Sequence, residues 1–215
     1  MIKLENILRR KLVKESRIVE ADSFKGKDII SVDIQQEYQS YFTFKPSDWG
    51  RFLTKNWEGN NIVFLYNGES MGMTDEGGYK DWLLNYIDYE LLEDATYYDK
   101  GYAYFRFCMD EGIDDRLTVD LIRFMVEKNV TDSRDLNKEM WDEFMASNPR
   151  ADKQSIRDLI EVADDMVWVP EVMEELKQYN NPVVMGGGIN ECLKEVELAL
   201  MALNKPYTIY KKFTY

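Results

Sequence analysis

Pro182-Val183-Val184-Met185-Gly186-Gly187-Gly188-Ile189-Asn190-Glu191-Cys192-Leu193 is the stretch on which the reading of this chain turns. Apolar residues run into three glycines, then a polar pair, a cysteine and an amphipathic run through Leu203. That order predicts a buried strand, a tight turn and the start of a helix. Glycine lets the backbone turn sharply, and a helix N-terminus presents unpaired N–H groups at a positive dipole end. A thiol in that first turn can become a thiolate at low cost. The same residues admit a plainer role, in which the glycines allow close packing and Cys192 is a small buried apolar group.

Working outward, Asp28-Ile29-Ile30-Ser31-Val32-Asp33-Ile34 reads as a central strand ending at Asp33. Asn61-Ile62-Val63-Phe64-Leu65-Tyr66 is a second strand, followed by the turn signal Asn67-Gly68-Glu69. Tyr207–Tyr210 is a last, short one. Between them the apolar spacing predicts helices over 79–93, 116–128 and 171–179, and one from Ser47 as N-cap to Lys55. An amphipathic lead helix spans residues 2–15, and 131–165 reads as short polar helices around Trp141, Phe144 and Leu159. The aromatic segment Thr96–Cys108 fits strand or helix equally. Strands separated by helices define an α/β domain, doubly wound around a mainly parallel, Rossmann-like three-layer sheet. One domain over 1–215 accommodates all of it.

Composition narrows the chemistry. The chain carries a net charge of −13, which disfavours general binding to nucleic-acid backbones. Residues 1–30 run against that trend, with eight basic side chains and five acidic ones. Two cysteines, Cys108 and Cys192, make no disulfide framework and fit a reducing cytoplasm. No apolar run approaches 18 residues, and no signal-peptide core opens the chain, so the expectation is a soluble cytosolic protein without a membrane role. Histidine is absent altogether. That removes Ser-His-Asp triads, Cys-His pairs and imidazole-ligated metals, leaving carboxylate, lysine, cysteine, tyrosine and backbone groups. Ligands of open α/β sheets sit beyond the carboxyl ends of strands, and both Asp33 and the Gly186–Cys192 loop follow strands. Asp33 could equally cap the helix after it.

Asp33-Ile34-Gln35-Gln36-Glu37-Tyr38 resembles the Asp-x-Gln-x-x-aromatic signature that follows the first strand of isochorismatase-like cysteine hydrolases, the nicotinamidase superfamily. Gly186 stands six residues before Cys192, as a strand-ending glycine does before that family's nucleophile. The resemblance implies an Asp-Lys-Cys triad acting on an amide, imide or similar carbonyl of a small-molecule substrate, with no cofactor and no metal. Asp33 would be the general base and Cys192 the nucleophile. Lys100, in Lys100-Gly101-Tyr102-Ala103-Tyr104-Phe105, is similar to the family's lysine. Backbone N–H groups near Cys192 would hold the oxyanion, and Gln35, Gly187, Gly188, Asn190 and Glu191 would line the substrate. The 92-residue spacing from Lys100 to Cys192 is longer than the family's, so 129–165 is read as a helical insertion. The nicotinamidases' metal-binding Asp-x-His is absent.

Two other classes stay open. Asp33 with Glu37, Glu69, Asp110, Asp114 or Asp115 could hold Mg²⁺ as in PIN- or NYN-like nucleases. Alternatively, an acidic domain with 5 Trp and 14 Tyr could be a non-enzymatic inhibitor or adaptor of a protein partner, or a homo-oligomer. The Gly186–Glu195 stretch, with Asp99–Tyr102 and Asp132–Asp135, is similar to uncharacterised proteins of tailed bacteriophages. That implies a host-cytoplasm setting and no particular activity.

Overall fold

The computed structural model describes residues 24–100, 112–149, 151–163 and 170–215. Five strands form one sheet: Ile29–Val32 (β1), Ile62–Tyr66 (β2), Thr96–Asp99 (β3), Val183–Gly186 (β4) and Thr208–Ile209 (β5). Their order is β3-β2-β1-β4-β5, and every neighbouring pair is parallel. Val32 sits in register with Leu65 on one side and Gly186 on the other. The chain therefore builds one way from β1 to β3 and the other way from β4 to β5. The reversal falls between β1 and β4, where doubly wound sheets open a crevice at their carboxyl ends.

Parallel sheets need both faces covered, and the alternation of side chains along each strand shows that both are. Ile30, Val32, Val63, Leu65, Val184 and Ile209 face one core. It is completed by Leu121 and Phe124 of Asp115–Lys128 (α4), Phe144 of Lys138–Ser147 (α5) and Leu159 of Lys153–Ala163 (α6). Met173 and Leu176 of Pro170–Gln178 (α7) and Val196 and Leu200 of Cys192–Ala202 (α8) also join it. Ile29, Phe64, Tyr66, Val183 and Met185 face the other core. Trp49 and Leu53 of Pro46–Lys55 (α1), Tyr79 and Leu83 of Glu76–Leu83 (α2) and Leu92 of Tyr89–Glu93 (α3) cover it. This second face is a slab of aromatic rings, with Tyr66 stacked on Tyr79 at 4.6 Å between centroids. The result is the expected three-layer α/β sandwich.

Residues 129–165 supply the helices α5 and α6, whose Phe144, Ile156 and Leu159 are buried in the same core as α4 and α8. Other expectations change in detail. Ser47 is not an N-cap: α1 starts at Pro46, which has no N–H to lose at that position, after an extended Lys45 with no side-chain cap. The helix expected over 79–93 is two, α2 and α3. The break lays the Tyr86 backbone against α1, where a Cβ on Gly50 would stand 2.4 Å from the Tyr86 carbonyl oxygen. Thr96–Asp99 is strand rather than helix, and the last strand shrinks to Thr208–Ile209. The lead helix over 2–15, Cys108 and Asp110 lie outside the described residues. Among the described residues no helix is long and apolar enough to cross a membrane.

Candidate active site

Asp33 prolongs β1 by one hydrogen bond, its N–H donating to the Leu65 carbonyl at 2.8 Å. Its φ of 48° then takes the chain out of the strand, a conformation Asp tolerates better than most side chains do. The helix it might have capped is a 3₁₀ turn over Gln36–Tyr41 that begins at Gln35 without a side-chain cap. Asp33 is instead fully buried. Lys100 prolongs β3 in the same way, its N–H donating to the Tyr66 carbonyl at 2.8 Å. β1 and β3 flank β2, so the two residues are separated by two strand spacings, roughly 9–10 Å. A lysine is long enough to cross that gap. Its Nζ lies 3.1 Å from Asp33 Oδ2, with both side chains at 3% exposure or less.

The third member comes from the other side of the reversal. β4 ends at Gly186, whose φ is +88° and whose Cβ, were there one, would meet the Val32 carbonyl oxygen at 2.1 Å. Gly187 follows at φ +61°, with space for a Cβ closed by the Leu193 nitrogen at 2.8 Å. Two residues that only glycine satisfies thus fold the loop tightly under the start of α8. Cys192 is the first residue of that helix. Its thiol is partly buried and lies beside the Asp33 carboxylate, close enough for each to shift the other's proton affinity. Asp33, Lys100 and Cys192 are therefore brought together at the carboxyl end of the sheet.

The electrostatics differ from a preformed thiolate. Burial pushes the Cys192 thiol above its ordinary range, and the Asp33 charge adds to that, outweighing the Lys100 ammonium. Asp33 is raised as well, chiefly by burial, with Lys100 and the thiol opposing. Burial alone would disfavour the Lys100 ammonium, yet Asp33, Glu195 and Cys192 together hold it above the usual lysine range. The resting site is a protonated thiol facing a buried base and a firmly charged lysine. Neither Asp33 carboxylate oxygen has a donor in full hydrogen-bond geometry, Lys100 contacting it as an ion pair only.

Of the expected lining residues, Gln35 is fully buried and committed to the protein. Its amide nitrogen donates to the Asn67 carbonyl at 3.1 Å and to Glu37 Oε2 at 3.0 Å, while its oxygen accepts the Asn67 N–H at 2.9 Å. It ties the loops after β1 and β2 together. Gly187 lies beneath the loop, Gly188 carries the Glu191 side chain over it, and Asn190 and Glu191 are exposed at the rim. Among the acidic residues, Glu37 accepts from Gln35, Asp114 accepts from the Arg116 N–H at the start of α4, and Asp115 pairs with Lys194 at 2.6 Å. Among the described residues no group of three or more Cys, Asp and Glu is placed to hold a metal ion.

Two participants escape the sequence reading, and a third, Tyr38, entered it only as the aromatic of the Asp33–Tyr38 signature. Glu195, 3% exposed, contacts Lys100 Nζ through Oε2 at 3.3 Å. Its signal was present: i+3 from Cys192 on a helix puts both on one face. Tyr215 pairs its backbone with the glycine loop, donating to the Gly187 carbonyl at 3.1 Å and accepting from the Ile189 N–H at 2.9 Å. Its hydroxyl donates to the Asp33 carbonyl at 3.0 Å. Tyr38 accepts from the Asn67 amide at 2.9 Å beside the same charges. No family model, curated protein or solved structure matches this chain.

Proposed function

We propose that the protein is a cysteine hydrolase of the isochorismatase-like type, cleaving a C–N bond of a small amide or imide. The observation that carries this reading is the meeting of Asp33, Lys100 and Cys192 from three separate strand ends. A thiol in contact with a buried carboxylate suits proton transfer from sulfur to Asp33 as the nucleophile engages. The Cys192 sulfur then attacks the carbonyl carbon, forming a C–S bond while the carbonyl π electrons move to oxygen. The start of α8, with its N–H groups and positive dipole end, is the natural cradle for that oxyanion. Collapse expels the amine, which takes its proton from Asp33 and leaves a thioester. Water activated by Asp33 cleaves the thioester to the acid and restores the thiol. Lys100 stays cationic throughout and offsets the charge that moves between Asp33 and sulfur.

The chemistry needs no bound cofactor and depends on a reduced thiol, which fits a cytoplasmic setting. The test is ammonia release from a panel of primary carboxamides and ureides, and formation of the ring-opened half-amide from cyclic imides. Turnover that vanishes in Cys192→Ser, Asp33→Asn and Lys100→Met supports the reading. Turnover that survives Cys192→Ser refutes it.

A further inference from the structure

The register between β1 and β4 ends at Val32 and Gly186. Beyond that pair the chains turn out of the sheet, at Asp33 with φ +48° and through Gly186 and Gly187 with φ +88° and +61°. The base and the nucleophile stand past the last rung, so the ladder alone does not fix their separation. Tyr215 spans the gap. Its N–H donates to the Gly187 carbonyl at 3.1 Å, its carbonyl accepts from the Ile189 N–H at 2.9 Å, and its hydroxyl donates to the Asp33 carbonyl at 3.0 Å. Building on the hydrolase reading above, we infer that Tyr215 is a positioning residue, which holds the Asp33 carboxylate against the Cys192 thiol by tying together the two loops that carry them.

A tie is useful only if it is itself held. Phe213, two residues earlier, is fully buried in the aromatic core, and the Thr214 carbonyl accepts the Thr43 hydroxyl at 3.2 Å. The Tyr215 ring packs against Phe42, 5.2 Å between centroids. The phenol thus reaches Asp33 from an anchored segment, while the backbone of the same residue pairs with the glycine loop in both directions. Asp33 is gripped on both sides: its N–H by the Leu65 carbonyl at 2.8 Å and its carbonyl by Tyr215. The next carbonyl, that of Ile34, accepts the Tyr79 hydroxyl at 3.2 Å. A non-glycine residue in the left-handed region depends on such support from its surroundings. With the backbone fixed, the carboxylate is aimed at Lys100 and Cys192. Loss of the phenol frees the Asp33 carbonyl, lets the following peptide rotate, and lets the carboxylate swing with it. The phenol remains a donor across the working range, because burial and the Asp33 charge hold its proton well above the ordinary tyrosine value.

The tie is read by a double-variant cycle on iodoacetamide alkylation of Cys192, resolved by peptide mass spectrometry at one fixed pH, in the full chain. Asp33, Lys100, Glu195, Tyr38 and Tyr215 all bear on the thiol, and the cycle changes the charge of Asp33 alone. Asp33→Asn removes a charge that raises the thiol, so it is expected to speed alkylation on the order of tenfold. In the Tyr215→Phe background, where the ring stays and the hydroxyl goes, the same change is expected to matter less than about threefold. Tyr97→Phe deletes a similar bond, to the Leu92 carbonyl at 2.8 Å, on the aromatic face and is expected to leave the full Asp33→Asn effect in place. An Asp33→Asn effect of equal size with and without the Tyr215 hydroxyl overturns the inference. Should Tyr215→Phe not fold, 3-fluorotyrosine at position 215 of the otherwise wild-type chain decides. Its ¹⁹F resonance is expected to shift on Asp33→Asn, and an unmoved resonance overturns the tie. Neither measurement needs turnover. Wild-type protein that never forms an acyl-enzyme therefore defeats the hydrolase reading, while the cycle still decides the role of Tyr215.

Discussion

Lys100 is the residue on which the site balances. It is a buried cation between two buried carboxylates, and removing one partner of such a group costs far more than removing the group entire. Lys100→Ala is therefore expected to lose about 3–5 kcal/mol of stability at pH 7 by urea denaturation. The variant leaves Asp33 a buried acid without its ammonium, so its proton is held still more firmly in the fold. That proton is taken up as pH falls, so the loss should shrink between pH 7 and pH 5. A deficit independent of pH would mean that the Asp33 carboxylate is not charged. Cys192 carries the opposite dependence. Its folded thiol holds its proton above the ordinary value near 9, so above about pH 9 the native state binds more protons than the unfolded one. Stability then falls as pH rises, by up to about 1.4 kcal/mol per pH unit for one proton. Cys192→Ser removes that component, and its stability should decline less steeply than the wild type's between pH 9 and 10.5. Parallel declines would show that the thiol is not shifted. At this scale the sequence was partly legible. Asp33 stands at the end of a β-branched run and Cys192 opens a helix just past a glycine turn, which marks them without any knowledge of neighbours. Glu195 carried a signal in its i+3 spacing from Cys192, but a glutamate in an amphipathic helix ordinarily faces water, and that expectation masked it.

At the scale of elements, the loop from β4 to α8 decides where the thiol stands. Gly186 lies so close to β1 that a methyl group would overlap the Val32 carbonyl, and its φ is positive besides. Gly26 has a similar φ of +73° but open space around it. Gly186→Ala is expected to destabilise by more than about 2 kcal/mol, and Gly26→Ala by about 1 kcal/mol, in chemical denaturation. Equal costs would mean that β1 and β4 are not packed as described. The glycine run, the strand before it and the helix after it were readable because each follows from local chemistry. The break between α2 and α3 was not. The apolar period runs through residues 79–93 without interruption, and what ends α2 is the need to bring the Tyr86 backbone against Gly50 of another helix. Pro46 did announce α1, but as its first residue rather than as the neighbour of a Ser47 cap.

For the whole molecule, the governing fact is a parallel sheet buried on both faces. Phe64 on the aromatic face and Leu121 on the aliphatic face belong to separate cores, and both are fully buried. Phe64→Ala and Leu121→Ala are each expected to cost about 3–5 kcal/mol, and the double variant their sum to within about 0.5 kcal/mol. Strong coupling between them would contradict a sheet that separates two cores. Alternation of strands and helices was enough to expect this architecture. Strand order was not legible, because it depends on contacts between segments more than a hundred residues apart in the chain. The site depends on that order: β1 must neighbour β4 for Asp33 to meet Cys192, and β3 must lie just beyond β2 for Lys100 to reach them.

The most direct test of the central claim is a burst experiment with p-nitrophenyl acetate, read by intact mass and peptide mapping. The expected result is one equivalent of p-nitrophenol released rapidly, an acetyl group on Cys192, and its slow loss to water. Cys192→Ser should show no burst, and Asp33→Asn should be slowed in both steps. No burst in the wild type, or an acetyl group on a residue other than Cys192, would contradict the assignment of Cys192 as the nucleophile.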